Sequence, residues 1–192
     1  MARNLDPKSL VFHDVISRGD ITPDKLLYLI DRLYDINTTD KKGSTLLDAA
    51  IFWDRKDLCK VLLENGADVE SLNNTCESPL RAAASGGHFE LCKLLIEHGA
   101  NLNPRSRGLT QPVQSIFQYR RIGDDLSKIH SDICRLFIDK GVDIRIMTRS
   151  IYEPRPDESY ESMAGFMTTH SRWITEPART IIEQRLRDVY GR

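Results

Sequence analysis

Apolar residues recur three and four apart at Leu58, Cys59, Val61, Leu62 and Leu63, and again at Leu91, Cys92, Leu94, Leu95 and Ile96. That spacing puts each set on one face of a helix. Each set is preceded by a shorter apolar cluster, Leu47, Ala49 and Ala50 in one case and Pro79, Leu80, Ala82 and Ala83 in the other. Each is followed by a glycine, Gly66 or Gly99, placed to end the helix by adopting the left-handed conformation that side chains resist. The pattern predicts two successive pairs of helices, short then long.

The two pairs are copies. Laying residues 40–72 over 73–105 without a gap matches Leu47 with Leu80, Ala49 and Ala50 with Ala82 and Ala83, and Leu58, Cys59 and Lys60 with Leu91, Cys92 and Lys93. Leu62, Glu64, Gly66 and Ala67 match Leu95, Glu97, Gly99 and Ala100. Cys59 and Cys92 are 33 residues apart, and a fixed period of that length is the signature of a stacked repeat array. One such unit cannot bury its apolar face alone, and stacking copies makes a continuous core.

The stretches G-S-T-L-L-D-A-A, L-L-E-N-G-A-D-V-E and S-P-L-R-A-A-A-S-G-G-H-F-E-L-C-K-L-L-I-E-H-G-A-N-L-N resemble ankyrin repeats. The resemblance is specific over 40–105. It implies an all-α ankyrin-repeat solenoid of about five helix-turn-helix units with diverged terminal capping units, in one domain spanning 1–192. Residues 1–39 form the N-terminal cap, with L-V-F-H-D-V-I-S-R-G-D as first helix and T-P-D-K-L-L-Y-L-I-D-R-L-Y-D-I-N as second. There Thr22 is placed to cap a helix that Pro23 opens. Residues 106–144 form a further repeat: Gln111, Pro112 and Val113 keep register with Ser78, Pro79 and Leu80. Cys92 and Cys134 lie 42 residues apart, so about nine residues are inserted, around R-R-I-G-D-D-L-S-K-I-H. Residues 145–159 carry two prolines and no helical period, and 145–192 as a whole reads as a diverged C-terminal capping unit.

Charge and composition add little that is specific. A net charge of -1 gives no global attraction to phosphate or anionic lipid, and the apolar runs are too short to span a membrane. The first ten residues lack the apolar stretch of a signal peptide, so a cytoplasmic location is expected, or a host cell if the chain is a delivered effector.

Cys59, Cys92 and Cys134 occupy equivalent sites on successive second helices, whose axes stand roughly 8 to 10 Å apart, beyond the Cα separation of about 7 Å that a disulfide tolerates. They read as small apolar core residues. No close Cys-x-x-Cys pair suggests zinc, and Cys76 sits alone in a turn. His88 and His98 stand where repeats of this kind place hydrogen-bonding or helix-end histidines, and no nucleophile is positioned to use either as a base. No phosphate-binding glycine motif occurs. No cofactor, metal or small-molecule ligand is therefore expected. Arg105, Arg107, Arg120, Arg121, Lys128 and Arg135 crowd the third matched repeat, with Asp124, Asp125 and Asp132 interleaved as on a solvated face.

Ankyrin proteins bind partner proteins through loop tips and the exposed side of their first helices, which together form a concave surface. Carried onto this sequence, the resemblance assigns partner binding to Lys41, Lys42 and Ser44, then Asn74, Thr75 and Glu77, then Arg107 and Thr110, at loop tips. On the first-helix face it assigns Phe52 and Trp53, then Ser85, then Gln118 and Tyr119, with Arg120 and Arg121 beside them. Phe52 and Trp53 stand where the next unit has Ser85 and Gly86. Large aromatics where small residues suffice are candidate interface anchors. The alternative is that Trp53 covers a neighbouring unit. The expected function is non-catalytic protein binding, as an adaptor, an inhibitor, or a bacterial or viral effector or immunity factor. The rival readings are an enzyme sited in the diverged C-terminal unit and nucleic-acid binding through the basic patch.

Overall fold

The computed structural model describes residues 12–17, 21–31, 35–104, 112–118, 124–143 and, near the C-terminus, 180, 183–185 and 187–188. Chain contacts divide it into two units, Met1–Asn101 and Leu102–Arg192. Among the described residues all regular structure is helical.

The first unit holds α1 (Phe12–Ser17), α2 (Pro23–Ile30), α3 (Leu46–Phe52), α4 (Lys56–Glu64), α5 (Pro79–Gly86) and α6 (Phe89–Glu97). α1, α3 and α5 pack in one row, α2, α4 and α6 in a second, and α3 with α4 and α5 with α6 join the rows. The expected pairs are thus present, short helix then long. As expected, Thr22 caps α2, its side chain accepting from the Lys25 backbone N–H, with Pro23 in the first turn.

α3 is buried from Leu46 to Ile51 on every side. A helix of that kind tolerates a carboxylate only if it is satisfied. Asp48 is: its Oδ2 accepts from the Thr45 N–H (2.8 Å) and hydroxyl (2.9 Å), while the Asp48 N–H donates back to Thr45 Oγ1. This reciprocal cap leaves two otherwise orphaned donors paired. In α5 the fully buried pair is Ala83 and Ala84, and Ala82 is half-buried although its counterpart Ala49 is fully covered. Leu58, Cys59, Leu62, Leu91, Cys92 and Leu95 complete the core, all fully enclosed.

Repeats are also tied along their loops. Asn37 Oδ1 accepts from the Asp68 N–H (2.7 Å), and one period later Glu70 Oε1 accepts from the Asn101 N–H (2.8 Å). In the second unit Asn103 Oδ1, a further period on, accepts from the Asp143 N–H (2.6 Å), and its amide donates to the Gly141 carbonyl (3.2 Å). Side chains at one repeat position therefore hold the backbone just beyond the next outer helix.

The second unit contains α7 (Pro112–Gln118) and α8 (Asp124–Asp139) packed together. α8 has 16 residues where α4 and α6 have 9. The extra length lies ahead of the segment equivalent to α6, so most of the inserted residues form additional helix rather than a loop. Ile133, Cys134, Phe137 and Ile138 make its buried stripe. The postulated capping helices of residues 145–192 lie outside the described residues, apart from helical residues 180, 183–185 and 187–188.

Candidate protein interface

The hairpin tips have one design, executed twice. The Asp40 N–H donates to the Ser44 carbonyl and the Gly43 N–H to the Asp40 carbonyl; Asn73 with Glu77, and Cys76 with Asn73, do the same. Inside each tip a side-chain oxygen gathers the turn. Asp40 Oδ1 accepts from the N–H groups of Lys42 (2.8 Å) and Ser44 (3.0 Å), and Asn73 Oδ1 from those of Thr75 (2.9 Å) and Glu77 (3.0 Å). Asp40 is buried, and its second oxygen accepts from the Phe12 N–H at 2.7 Å, fastening α1 to the first tip.

Lys41 and Lys42 are exposed at this tip and Ser44 is half-buried. Asn74 and Thr75 are exposed at the next, and Glu77 is half-buried. Part of the polar capacity there is already used. The Asn74 amide donates to the Lys42 carbonyl, the Thr75 hydroxyl donates to Asn73 Oδ1 (2.7 Å), and Glu77 pairs with Arg81. Ser85 is likewise committed, its hydroxyl donating to the Ala82 carbonyl at 3.0 Å.

Phe52 and Trp53 sit at the other end of α3, about 10 Å along its axis from the tips. Phe52 is 65% and Trp53 45% exposed, with ring centroids 5.3 Å apart and planes at 82°. This is an edge-to-face aromatic pair. Trp53 is thus part covered and part open to solvent. Gln118 ends α7. Arg107, Thr110, Tyr119, Arg120 and Arg121 lie outside the described residues. Within the first unit the expected contact residues thus form two patches, one at each end of the first helices.

Two elements of this surface were not anticipated. Asp54, directly after Trp53, has φ +51 at the position where the next repeat has Gly87 at φ +75. Its carboxylate lies 3.2 Å from His88 Nδ1, joining the turns of consecutive repeats. Aligning Asp54 with Gly87 was the available signal. Arg81, opposite Glu77 on α5, was also missed; it stands where the preceding repeat has Asp48.

Around this turn the charges are largely paired. Arg55 grips Asp57 through Nε (3.0 Å) and Nη2 (2.8 Å), and Nη2 also donates to the Ile21 carbonyl. The hydrogen bond from Arg55 holds the Asp57 carboxyl below its usual range. Lys56 meets Glu90 at 2.7 Å across the outer helices, which lowers the Glu90 pKa. The thiols of Cys59, Cys92 and Cys134 are buried, and desolvation pushes the last two up to about 12 and Cys59 higher still. They are inert core groups, as expected from their spacing. Cys76 is exposed.

Among the described residues no three His, Cys, Asp or Glu side chains gather as a metal site, and no helix is long and apolar enough to cross a membrane. In the second unit an open cleft of about 620 Å³ is bounded by Arg135 and Asp139 of α8 and by Gln184, Arg185 and Asp188. Ile138 and Thr180 also line it.

Stacked helix pairs with hairpin tips define a repeat protein. Residues 12–106 match the family model described as ankyrin repeats, in three copies. This part of the chain is an ankyrin-repeat array. The chain is similar to the ankyrin repeat domain of Bcl-3, described as a unique member of the IkappaB protein family, with a TM-score of 0.59 and 22% identity. The likeness covers 74% of this chain and 61% of that one, and at this identity it is a likeness of fold. No curated protein matches the sequence. Ankyrin repeats generally mediate protein–protein interaction.

Proposed function

We propose that this chain is a non-catalytic module that binds one partner protein on the side carrying the hairpin tips and first helices. The observation that supports it most is the exposed aromatic pair Phe52 and Trp53, at positions where the next repeat has Ser85 and Gly86. Solvent-exposed tryptophan beside phenylalanine is the kind of anchor on which interface energy concentrates. Lys41, Lys42, Ser44, Asn74, Thr75 and Glu77 form the polar rim of the same reading. Arg107, Thr110, Gln118, Tyr119, Arg120 and Arg121 are assigned to it by their place in the repeat.

The reading requires no cofactor, lipid or nucleic acid, and places the protein in the cytoplasm, or in a host cell if it is delivered there. Whether it acts as adaptor, inhibitor, effector or immunity factor follows from the partner. Affinity capture from the native cell identifies that partner. Calorimetry with the purified pair then compares the parent chain with Trp53→Ala, and unchanged affinity would remove the aromatic anchor from the account.

A further inference from the structure

Three consecutive residues at the turn from α3 to α4 depart together from the repeat. Phe52, Trp53 and Asp54 stand where the next repeat has Ser85, Gly86 and Gly87. None of the three is needed to close the turn. The backbone bonds Asp54 N–H to Ile51 and Arg55 N–H to Ala50 recur as Gly87 to Ala84 and His88 to Ala83. Asp54 even holds the left-handed backbone at a steric disadvantage that glycine avoids. Strain of this kind persists where the surroundings or a function retain it.

The side chains are also complementary to one chemistry. Trp53 is 45% exposed, and its edge-to-face contact with Phe52 occupies a single ring face of the pair. The Asp54 side chain is 61% exposed. The cations beside it are engaged elsewhere, Arg55 with Asp57 and Lys56 with Glu90. Asp54 itself faces the His88 imidazole, which carries charge only when protonated. A part-exposed indole one residue before an exposed carboxylate whose ion-pair partner is a histidine can attract positive charge in two ways. The ring quadrupole draws a cation to its face, and the carboxylate accepts charge-assisted hydrogen bonds from it. Lys41 and Lys42, which would oppose such a ligand, lie at the far end of α3.

We propose that Trp53 and Asp54 form a receptor for an arginine or lysine side chain presented by the partner protein. This rests on the protein-binding reading above. The cation lies against the indole and donates to the Asp54 carboxylate, and Phe52 supports the ring from its edge. The partner's contacting segment is therefore basic and carries an apolar residue near its cation.

The test uses the full-length chain and a displayed library of random peptides, followed by fluorescence polarisation of the selected sequences. Selected peptides are expected to carry arginine or lysine, and replacing it with citrulline or norleucine should weaken binding about tenfold. Trp53→Ala should weaken binding at least as much. Asp54→Asn keeps the side-chain shape, an acceptor for His88 and tolerance of the left-handed backbone; it should cost about tenfold and flatten the salt dependence. Circular dichroism confirms that both variants stay folded. Peptides without a basic residue, peptides bound equally by both variants and the parent, or a library yielding no binder would each overturn the cation receptor. The protein-binding reading is decided separately by calorimetry with the captured partner, so the two can fail independently.

Discussion

Gly43 and Cys76 hold the same place in successive hairpin tips, and both have positive φ, +75 and +57. A cysteine there bears a steric cost that glycine does not, and because Cys76 is exposed its removal leaves no cavity. Cys76→Gly should therefore raise stability by up to about 1 kcal/mol in urea denaturation, the gain being partly offset by glycine's greater freedom when unfolded. A loss of stability would mean that the thiol makes a contact unlike any at the first tip. Thiol chemistry separates Cys76 from the other three cysteines. A thiol-reactive reagent should modify Cys76 rapidly in the native chain and Cys59, Cys92 and Cys134 only on unfolding. Those three buried thiols also set a direction with pH. Their folded pKa values lie above the ordinary value of 9.0, so their contribution is fully present below about pH 9 and is lost as pH rises toward 12. The alkaline fall in stability should be shallower in Cys92→Ala than in the parent. At this scale the sequence was only partly legible. The burial of the three cysteines followed from their helical spacing, whereas Asp54 and Cys76 pass for ordinary loop residues unless they are set against Gly87 and Gly43.

Helices were legible where two signals agreed. In α4 and α6 the three-and-four spacing coincides with a fixed period and a closing glycine, so Leu62 and Leu95 could be placed in the core, where both are fully enclosed. Leu62→Ala and Leu95→Ala should each destabilise the chain by about 2 to 5 kcal/mol, because the rigid stack cannot collapse around the missing methyl groups. Values under about 1 kcal/mol would argue against packing between the helix rows. The length of α8 was not legible. The insertion broke the register that located its neighbours, and its polar opening, D-D-L-S-K-I-H, masks the spacing of Leu126, Ile129 and Ile133. The links through Asn37, Glu70 and Asn103 were hidden for a different reason: their residue types vary, and only their shared acceptor role persists.

For the molecule as a whole, the repeat made the fold legible and gave no information about the partner. Periodicity reports on contacts between copies, and a binding surface lies where the copies cease to agree. In the described residues the turn after α3, with its exposed Phe52, Trp53 and Asp54, departs from the next repeat and is the proposed anchor, while Asn74, Thr75 and Glu77 at the proposed rim spend part of their hydrogen bonding within the hairpin tips. Lys41→Ala and Lys42→Ala should accordingly act on association rate, with an effect that fades as salt rises. The most direct test of protein binding through the aromatic pair is isothermal calorimetry of the captured partner against the parent chain and Trp53→Ala, both shown by circular dichroism to be equally helical. The account expects Trp53→Ala to bind more weakly by about 2 kcal/mol or more, and affinity equal to the parent's would contradict it.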